Sequence, residues 1–281
     1  MTKDDVWKGV SRMSTFKKKI NIIAVLSKKK KSEAYIVNFE GGTTFFKLVK
    51  YSGNDRLELY TCLKKIDSPY LPKIIDIWEQ DGRVWVLEEY VCGKSLREII
   101  DKGNISGAKV KSCLIMLCEA LKVLHNNEPR IVHRDVKPEN IIVTREGGIK
   151  LIDFDIARIY KEYSEHDTSQ LGTRDYASPE QFGYMQTDER SDIFSAGIVL
   201  KELYAACKNK RPYRWRVQKI IKKATRFDLE NRYLRIDIME KDIKELYLGK
   251  VGRFALLLAA AFMFTLVTGI VAAWMSGIFN L

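Results

Sequence analysis

From Phe254 to Phe279 the chain reads FALLLAAAFMFTLVTGIVAAWMSGIF, 26 residues without a charge. A bilayer core needs only about 20 apolar residues in a helix. A core helix of this length would show a polar stripe, and this run has none. Residues 254–279 are therefore expected to form one transmembrane helix. Lys241, Lys244, Lys250 and Arg253 precede the run and only Asn280 and Leu281 follow it. The positive-inside rule then leaves the bulk of the chain in the cytoplasm, as a single-pass protein with a C-terminal anchor. Trp274, near the far end, suits a membrane interface.

What precedes the run must fold in water. The 281 residues are 46% hydrophobic, ample for a core and unlike a disordered chain. Their net charge of +12 favours acidic partners, whether nucleotide phosphates, an anionic membrane or nucleic acid, and does not choose among them. Five cysteines (Cys62, Cys92, Cys113, Cys118 and Cys207) form no C-x-x-C pair, as expected in a reducing compartment without structural disulfides. The opening MTKDDVWKGV lacks the apolar stretch of a secretory signal.

Residues 1–19 are a basic arm ending in Lys17, Lys18 and Lys19. Residues 20–90 carry strand-like runs (INIIAVL, AYIVNF, TTFFKLVKY, KIIDIWEQ, RVWVLEEY) around one helix from about Asn54 to Ile66, closed off by Pro69. Residues 91–248 turn helical; AKVKSCLIMLCEALKVLHNN is the clearest amphipathic segment and SDIFSAGIVLKELYAACK an unusually apolar one. The fold class is α+β, with a small β-rich part followed by a mainly α part.

Residues 133–140 read HRDVKPEN, and thirteen positions after Asn140 comes DFD, beginning at Asp153. A loose phosphoryl-transfer transition state needs positioning and charge neutralisation more than a strong nucleophile, so a base and metal ligands must converge from neighbouring loops. Downstream stand GTRDYASPEQ (172–181) and SDIFSAGIVL. With these motifs, residues 20–248 resemble the eukaryotic-type serine/threonine protein kinases. The resemblance implies a bilobal fold, with an N-lobe over 20–90 and a C-lobe over 91–248. It makes Asp135 the residue that accepts or orients the substrate hydroxyl proton, with Lys137 beside it in the form usual for Ser/Thr kinases. Asn140 and Asp153 become ligands of Mg2+ (or Mn2+), and Lys47 the strand lysine that holds the ATP phosphates. Ser27, Ser32 and Ala34 fall in the loop region that covers the nucleotide, and Glu89 and Val91 in the hinge. Arg134 would pair with a phosphate on the activation segment, where Thr168, Ser169 and Thr173 lie. Glu180 and Arg232 would form a buried ion pair, and Asp192 would hold the catalytic-loop backbone; these three are structural.

The sequence departs from the family in several places. SKKKKS (27–32) stands where a glycine-rich loop is usual. It is either a solvated hairpin or a set of side chains neutralising phosphates in place of backbone N–H groups. Phe45 replaces a small residue two positions before Lys47. Leu59 stands where a helix glutamate should pair with Lys47, leaving Glu58, one position away, or Glu88 at the back of the pocket as substitutes. Asp155 replaces the glycine after Phe154, which should make that loop less free to flip. Only 40 positions separate Asp192 from Arg232, so the helix on which many kinases dock substrates is shortened.

Two functions compete. One is a membrane-anchored kinase that uses ATP and Mg2+ on protein hydroxyls, with a protein substrate and the membrane as partners and no nucleic acid. The other is a pseudokinase, a membrane-tethered binding or scaffold module of the same fold.

Overall fold

The structure is a computed structural model, and it describes residues 20–53, 55–160, 173–182, 187–208, 214–246, 261–272 and 274. The arm 1–19, Thr168, Ser169 and half of 254–279 lie outside the described residues.

The strand-like runs assemble into one antiparallel sheet. Its strands are β1 (Ile20–Lys28), β2 (Ser32–Phe39), β3 (Phe45–Ser52), β4 (Ile74–Gln80) and β5 (Arg83–Glu89), in the order β1-β2-β3-β5-β4. Period-two alternation explains its two faces. Tyr35, Val37, Leu48, Trp85 and Leu87 pack together on one side. Ala34, Val49, Tyr51, Val84 and Val86 join the main core on the other. Helix α1 (Leu57–Lys64) covers that second face with Leu59, Tyr60 and Leu63. It is shorter than the expected Asn54–Ile66, because Gly53 (φ 89) turns the chain and Arg56 at the N-cap supplies no capping side chain.

The second lobe is mainly helical but holds five short strands that the sequence pattern did not reveal. They are β6 (Gly93–Ser95), β7 (Ile131–Val132), β8 (Ile141–Thr144), β9 (Ile149–Leu151) and β10 (Arg158–Ile159). They pair as β6-β8-β9 and β7-β10 and frame the loops that carry the site. Helix α2 (Leu96–Lys102) starts at a reciprocal capping box between Ser95 and Glu98. Helix α3 (Gly107–His125), capped by Ser106, buries Val110, Leu114, Leu117, Leu121 and Leu124 at helical spacing and forms the centre of the lobe. Around it lie α4 (Glu189–Ala205), α5 (Arg214–Ala224) and α6 (Ile236–Glu245). Gly197 lets α4 meet α5 closely, since a Cβ there would come within 2.7 Å of the Ala224 Cβ.

All five cysteines are free; Cys113, Cys118 and Cys207 are buried. Within the expected span, residues 261–272 and Trp274 are helical, with exposed side chains such as Phe262, Phe264 and Ile270. Among the described residues, no helix is long and apolar enough to cross a membrane.

Candidate active site

The octapeptide 133–140 forms the connection between β7 and β8. Pro138 opens a single 3-10 turn (Pro138–Asn140), where its fixed φ suits the bend and its missing N–H is no loss. Arg134 adopts φ 67, a left-handed backbone that costs a non-glycine residue about 1–3 kcal/mol. Asp192, from the first turn of α4, holds it there. Its fully buried carboxylate accepts the His133 N–H at 2.8 Å and the Arg134 N–H at 2.7 Å, and lies 2.8 Å from His125 Nε2. Burial pushes the Asp192 pKa up, but the His125 contact outweighs it and holds the acid below its usual range.

Asp135 is the centre of a closed set of contacts. Lys137 Nζ donates to its Oδ2 at 2.7 Å, Thr173 Oγ1 donates to its Oδ1 at 2.8 Å, and Asn140 Nδ2 donates to its Oδ2 at 2.8 Å and to its backbone oxygen at 2.9 Å. Lys137 also donates to Thr173 Oγ1 at 2.8 Å. Burial raises the Asp135 pKa and the Lys137 ammonium more than offsets it, so the carboxylate is ionised and ready to accept a proton or orient a hydroxyl. Thr173, grouped by the sequence with Thr168 and Ser169 as a regulatory residue, thus sits inside the catalytic cluster, with its hydroxyl engaged on both sides.

The second loop arrives from β9. Phe154 is 2% exposed and packs edge-on against His133, ring centroids 5.0 Å apart, while the His133 ring also meets the Ile152 oxygen at 3.2 Å. This anchors the turn on which Asp153 takes φ 70. Asp155 does not have a positive φ, so the carboxylate in place of glycine adds no backbone strain. Its contacts are with the first lobe: Tyr51 Oη donates at 2.8 Å, Ser32 Oγ at 3.1 Å and Lys29 Nζ at 2.6 Å. Lys29 Nζ also reaches Asp153 Oδ2 at 3.5 Å. Of the other residues expected near a nucleotide, Ser27 on β1 pairs with Ala34 on β2, and Ala34 is buried in the core beneath the sheet.

Lys47 finds its acidic partner inside the sheet. It stands opposite Glu88 in the β3–β5 register, and Nζ and Oε1 are 2.8 Å apart. Burial lowers the Lys47 pKa, and the Glu88 charge more than restores it, raising it above the ordinary value. Leu59 is buried in the core and Glu58 lines a cavity beside α1, so of the two substitutes Glu88 is the one in contact. Glu88 Oε2 is buried without a partner. Phe45, on the same side of β3 as Lys47, is 45% exposed. Glu89 spends its carboxylate on Lys150 Nζ (2.8 Å) and the Lys73 N–H (3.1 Å), which leaves the Glu89 and Val91 backbone for any hinge contact.

The cavity beside α1, about 570 Å³, is walled by Lys29, Arg56, Leu59, Arg134, Asp135 and Asp155 among others. Glu89 and Val91 are not among its walls, so it opens at the catalytic end of the cleft and not at the hinge. Arg134, Arg158 and Arg56 converge here. Burial first, then Arg158 and Arg56, push the Arg134 pKa down to about 10. Farther off, Glu180 and Arg232 form a fully buried pair at 2.7 and 3.2 Å, with Ser191 Oγ donating to the same carboxylate. Thr173, Lys29, Arg56 and Arg158 were not singled out for these roles by the sequence. The basic character of 27–32 pointed toward Lys29 and GTRDYASPEQ contained Thr173, while no motif marked Arg56 or Arg158.

Asn140 uses its amide nitrogen on Asp135, which leaves Oδ1 for a cation, and its backbone oxygen accepts the Ile152 N–H at 2.8 Å, one residue before the Asp153 carboxylate. Asn140 Oδ1 and that carboxylate are oxygen donors of the kind that suits a hard divalent ion such as Mg2+.

Comparison with known families finds that residues 47–247 match the protein kinase domain. A "probable serine/threonine-protein kinase" of Clostridium perfringens is 39% identical over 145 residues, 51% of this chain and 21% of that protein. The "probable serine/threonine-protein kinase PknB" of Corynebacterium glutamicum is 40% identical over 123 residues, 42% of this chain and 19% of the other. Serine/threonine-protein kinase PrkC of Bacillus subtilis is 33% identical over 205 residues, 64% of this chain and 31% of the relative. The matches thus span about a fifth to a third of the length of these curated relatives.

Proposed function

The chain belongs to the protein kinase domain family, and from that premise we propose that it is a serine/threonine kinase, anchored in a membrane by residues 254–279, that transfers the γ-phosphate of ATP to protein hydroxyls. The observation that carries this is the Asp135 cluster: an ionised carboxylate held by Lys137, Thr173 and Asn140, on a loop adjoining the Asp153 turn.

In this reading the acceptor hydroxyl approaches Asp135, which orients it for attack and receives its proton. Lys137, already bonded to Asp135, lies next to the transferring group and neutralises charge there. Lys47, fixed by Glu88, orients the α- and β-phosphates. Asn140 and Asp153 would hold Mg2+, which when bound supplies charge neutralisation between the phosphate oxygens. Arg134, Arg158 and Arg56 together suit a phosphate on the activation segment, at Thr168 or Ser169. A scaffold without activity is the weaker alternative, because the lysine that lost its helix glutamate has an acid in Glu88.

Transfer of labelled γ-phosphate to the protein itself or to a generic acceptor, lost in Asp153→Ala, tests the enzyme; equal labelling in the variant would refute it. The anchor is tested separately. A chain ending at Leu248 should partition into the soluble fraction while the full chain stays with membranes after a high-salt wash, and an equal distribution of the two would refute the span.

A further inference from the structure

Two departures from the kinase pattern meet in one contact. The hairpin between β1 and β2 carries lysines where glycines are usual, and the turn after Asp153 carries Asp155 where glycine is usual. The structure joins them: Lys29 Nζ lies 2.6 Å from Asp155 Oδ2, across 126 residues of sequence. The hairpin end is fixed locally, since the Lys29 N–H donates to the Ser32 oxygen at 2.8 Å and Ser32 Oγ donates to the same Asp155 oxygen at 3.1 Å. Tyr51 takes the other Asp155 oxygen at 2.8 Å and is itself 2.6 Å from the Tyr60 hydroxyl. Asp155 is therefore held by three donors from the first lobe, and it sets where the Lys29 ammonium stands. That place is 3.5 Å from Asp153 Oδ2, the carboxylate that would hold a divalent ion.

We propose that Lys29 is a phosphate-binding residue of the nucleotide site and that Asp155 is the positioning residue that aims it. The proposal deepens the kinase reading and rests on it. The physical argument is one of charge. A glycine-rich loop neutralises phosphate with backbone N–H groups, which requires the backbone to come close. A lysine delivers a full positive charge from farther away on a flexible stem, so the hairpin needs no glycine. Its flexibility is the drawback, and a carboxylate fixed by Tyr51 and Ser32 removes it. Were Asp153 to hold a divalent ion, Lys29 would lose only its longer contact, at 3.5 Å, and keep the one at 2.6 Å to Asp155. The ammonium then remains at the edge of the site, beside the incoming phosphates. The side chain of Lys29 is 53% exposed and so open to a ligand.

The test is titration calorimetry on the full chain in detergent, with ATP and with adenosine, each with and without Mg2+. Lys29→Gln should weaken ATP binding by about tenfold to a hundredfold, as expected for a lost hydrogen bond to a charged group, and leave adenosine binding within about twofold. Lys29→Arg should keep most of the affinity. Asp155→Asn should weaken ATP binding less than Lys29→Gln does, and adding it to Lys29→Gln should change little further, because its role runs through the lysine. If Lys29→Gln binds ATP as tightly as wild type or more tightly, the lysine is a solvated group or a latch and the proposal falls. An equal loss for ATP and adenosine would show an effect on the fold and overturn it too. Wild-type protein that binds adenosine but gains nothing from the phosphates would also refute it. If wild type binds neither ligand, the kinase reading itself fails.

Discussion

Glu88→Ala isolates the most unusual contact in the first lobe. The Glu88 side chain is 3% exposed and that of Lys47 20%, with 2.8 Å between the charged atoms. Removing one member of a buried ion pair costs ~3–5 kcal/mol, because the other charge is left without a partner. Lys47 keeps some water, and Asp153 and Asp155 also favour its charge, so the lower end applies, about 3 kcal/mol. For a domain of this size each kcal/mol moves Tm by roughly 2–4 °C, giving a drop of about 6–12 °C in a calorimetric melt. Lys47→Met should cost a similar amount by stranding Glu88, whose Oε2 already lacks a partner. The double variant Lys47→Met/Glu88→Ala strands neither charge and should melt well above what the sum of the two single losses would give. Additivity of the two losses to within about 0.5 kcal/mol in that cycle would refute the pairing.

Asp135→Asn should abolish transfer while leaving ATP affinity in calorimetry within about threefold, because Asp135 meets the acceptor and not the nucleotide; activity comparable to wild type would refute the assignment. Glu180→Ala should cost about 3–5 kcal/mol in urea unfolding, because Arg232 is left wholly buried without its acid. The pH profile follows from the same groups. Glu180 and Asp192 both have folded pKa values below their ordinary 4.5 and 3.8: burial raises each, and Arg232 in one case and His125 in the other more than reverse it. The stability they contribute is complete above those ordinary values and is lost as pH falls through the lower folded ones. The urea midpoint should therefore drop below about pH 4, and Glu180→Gln should flatten that limb. Phe45→Ala should weaken ATP binding roughly fivefold, the loss of about 1 kcal/mol of stacking by an exposed ring on the Lys47 face; tighter binding would show that the ring crowds the base instead.

The first sheet was legible because alternation is a local signal. Strands of seven to nine residues repeat it often enough to be seen. Strands β6 to β10, of two to four residues, cannot show a period, and they form because the loops between them are held elsewhere, as Asp192 holds Arg134. The octapeptide disclosed Asp135, Lys137 and Asn140 together, since their contacts span only a few residues. The Thr173 hydroxyl lies 38 residues from Asp135 and Lys29 lies 126 from Asp155, and no local pattern encodes such meetings. Glu88 was intermediate. Its strand position marked it as a candidate, but the register that sets it opposite Lys47 comes from the folded sheet.

That register also bears on control. A molecular toggle works by making or breaking a bond between a part that moves and a part that stays. When the acid that holds a catalytic lysine sits on a helix, swinging the helix opens the bond and silences the enzyme. Here both ends of the bond belong to neighbouring strands of one ladder, and parting them means tearing β3 from β5. Displacing α1 would leave Lys47 in place. An off state of this protein would have to be written elsewhere, as in the hairpin that carries Lys29 to Asp155.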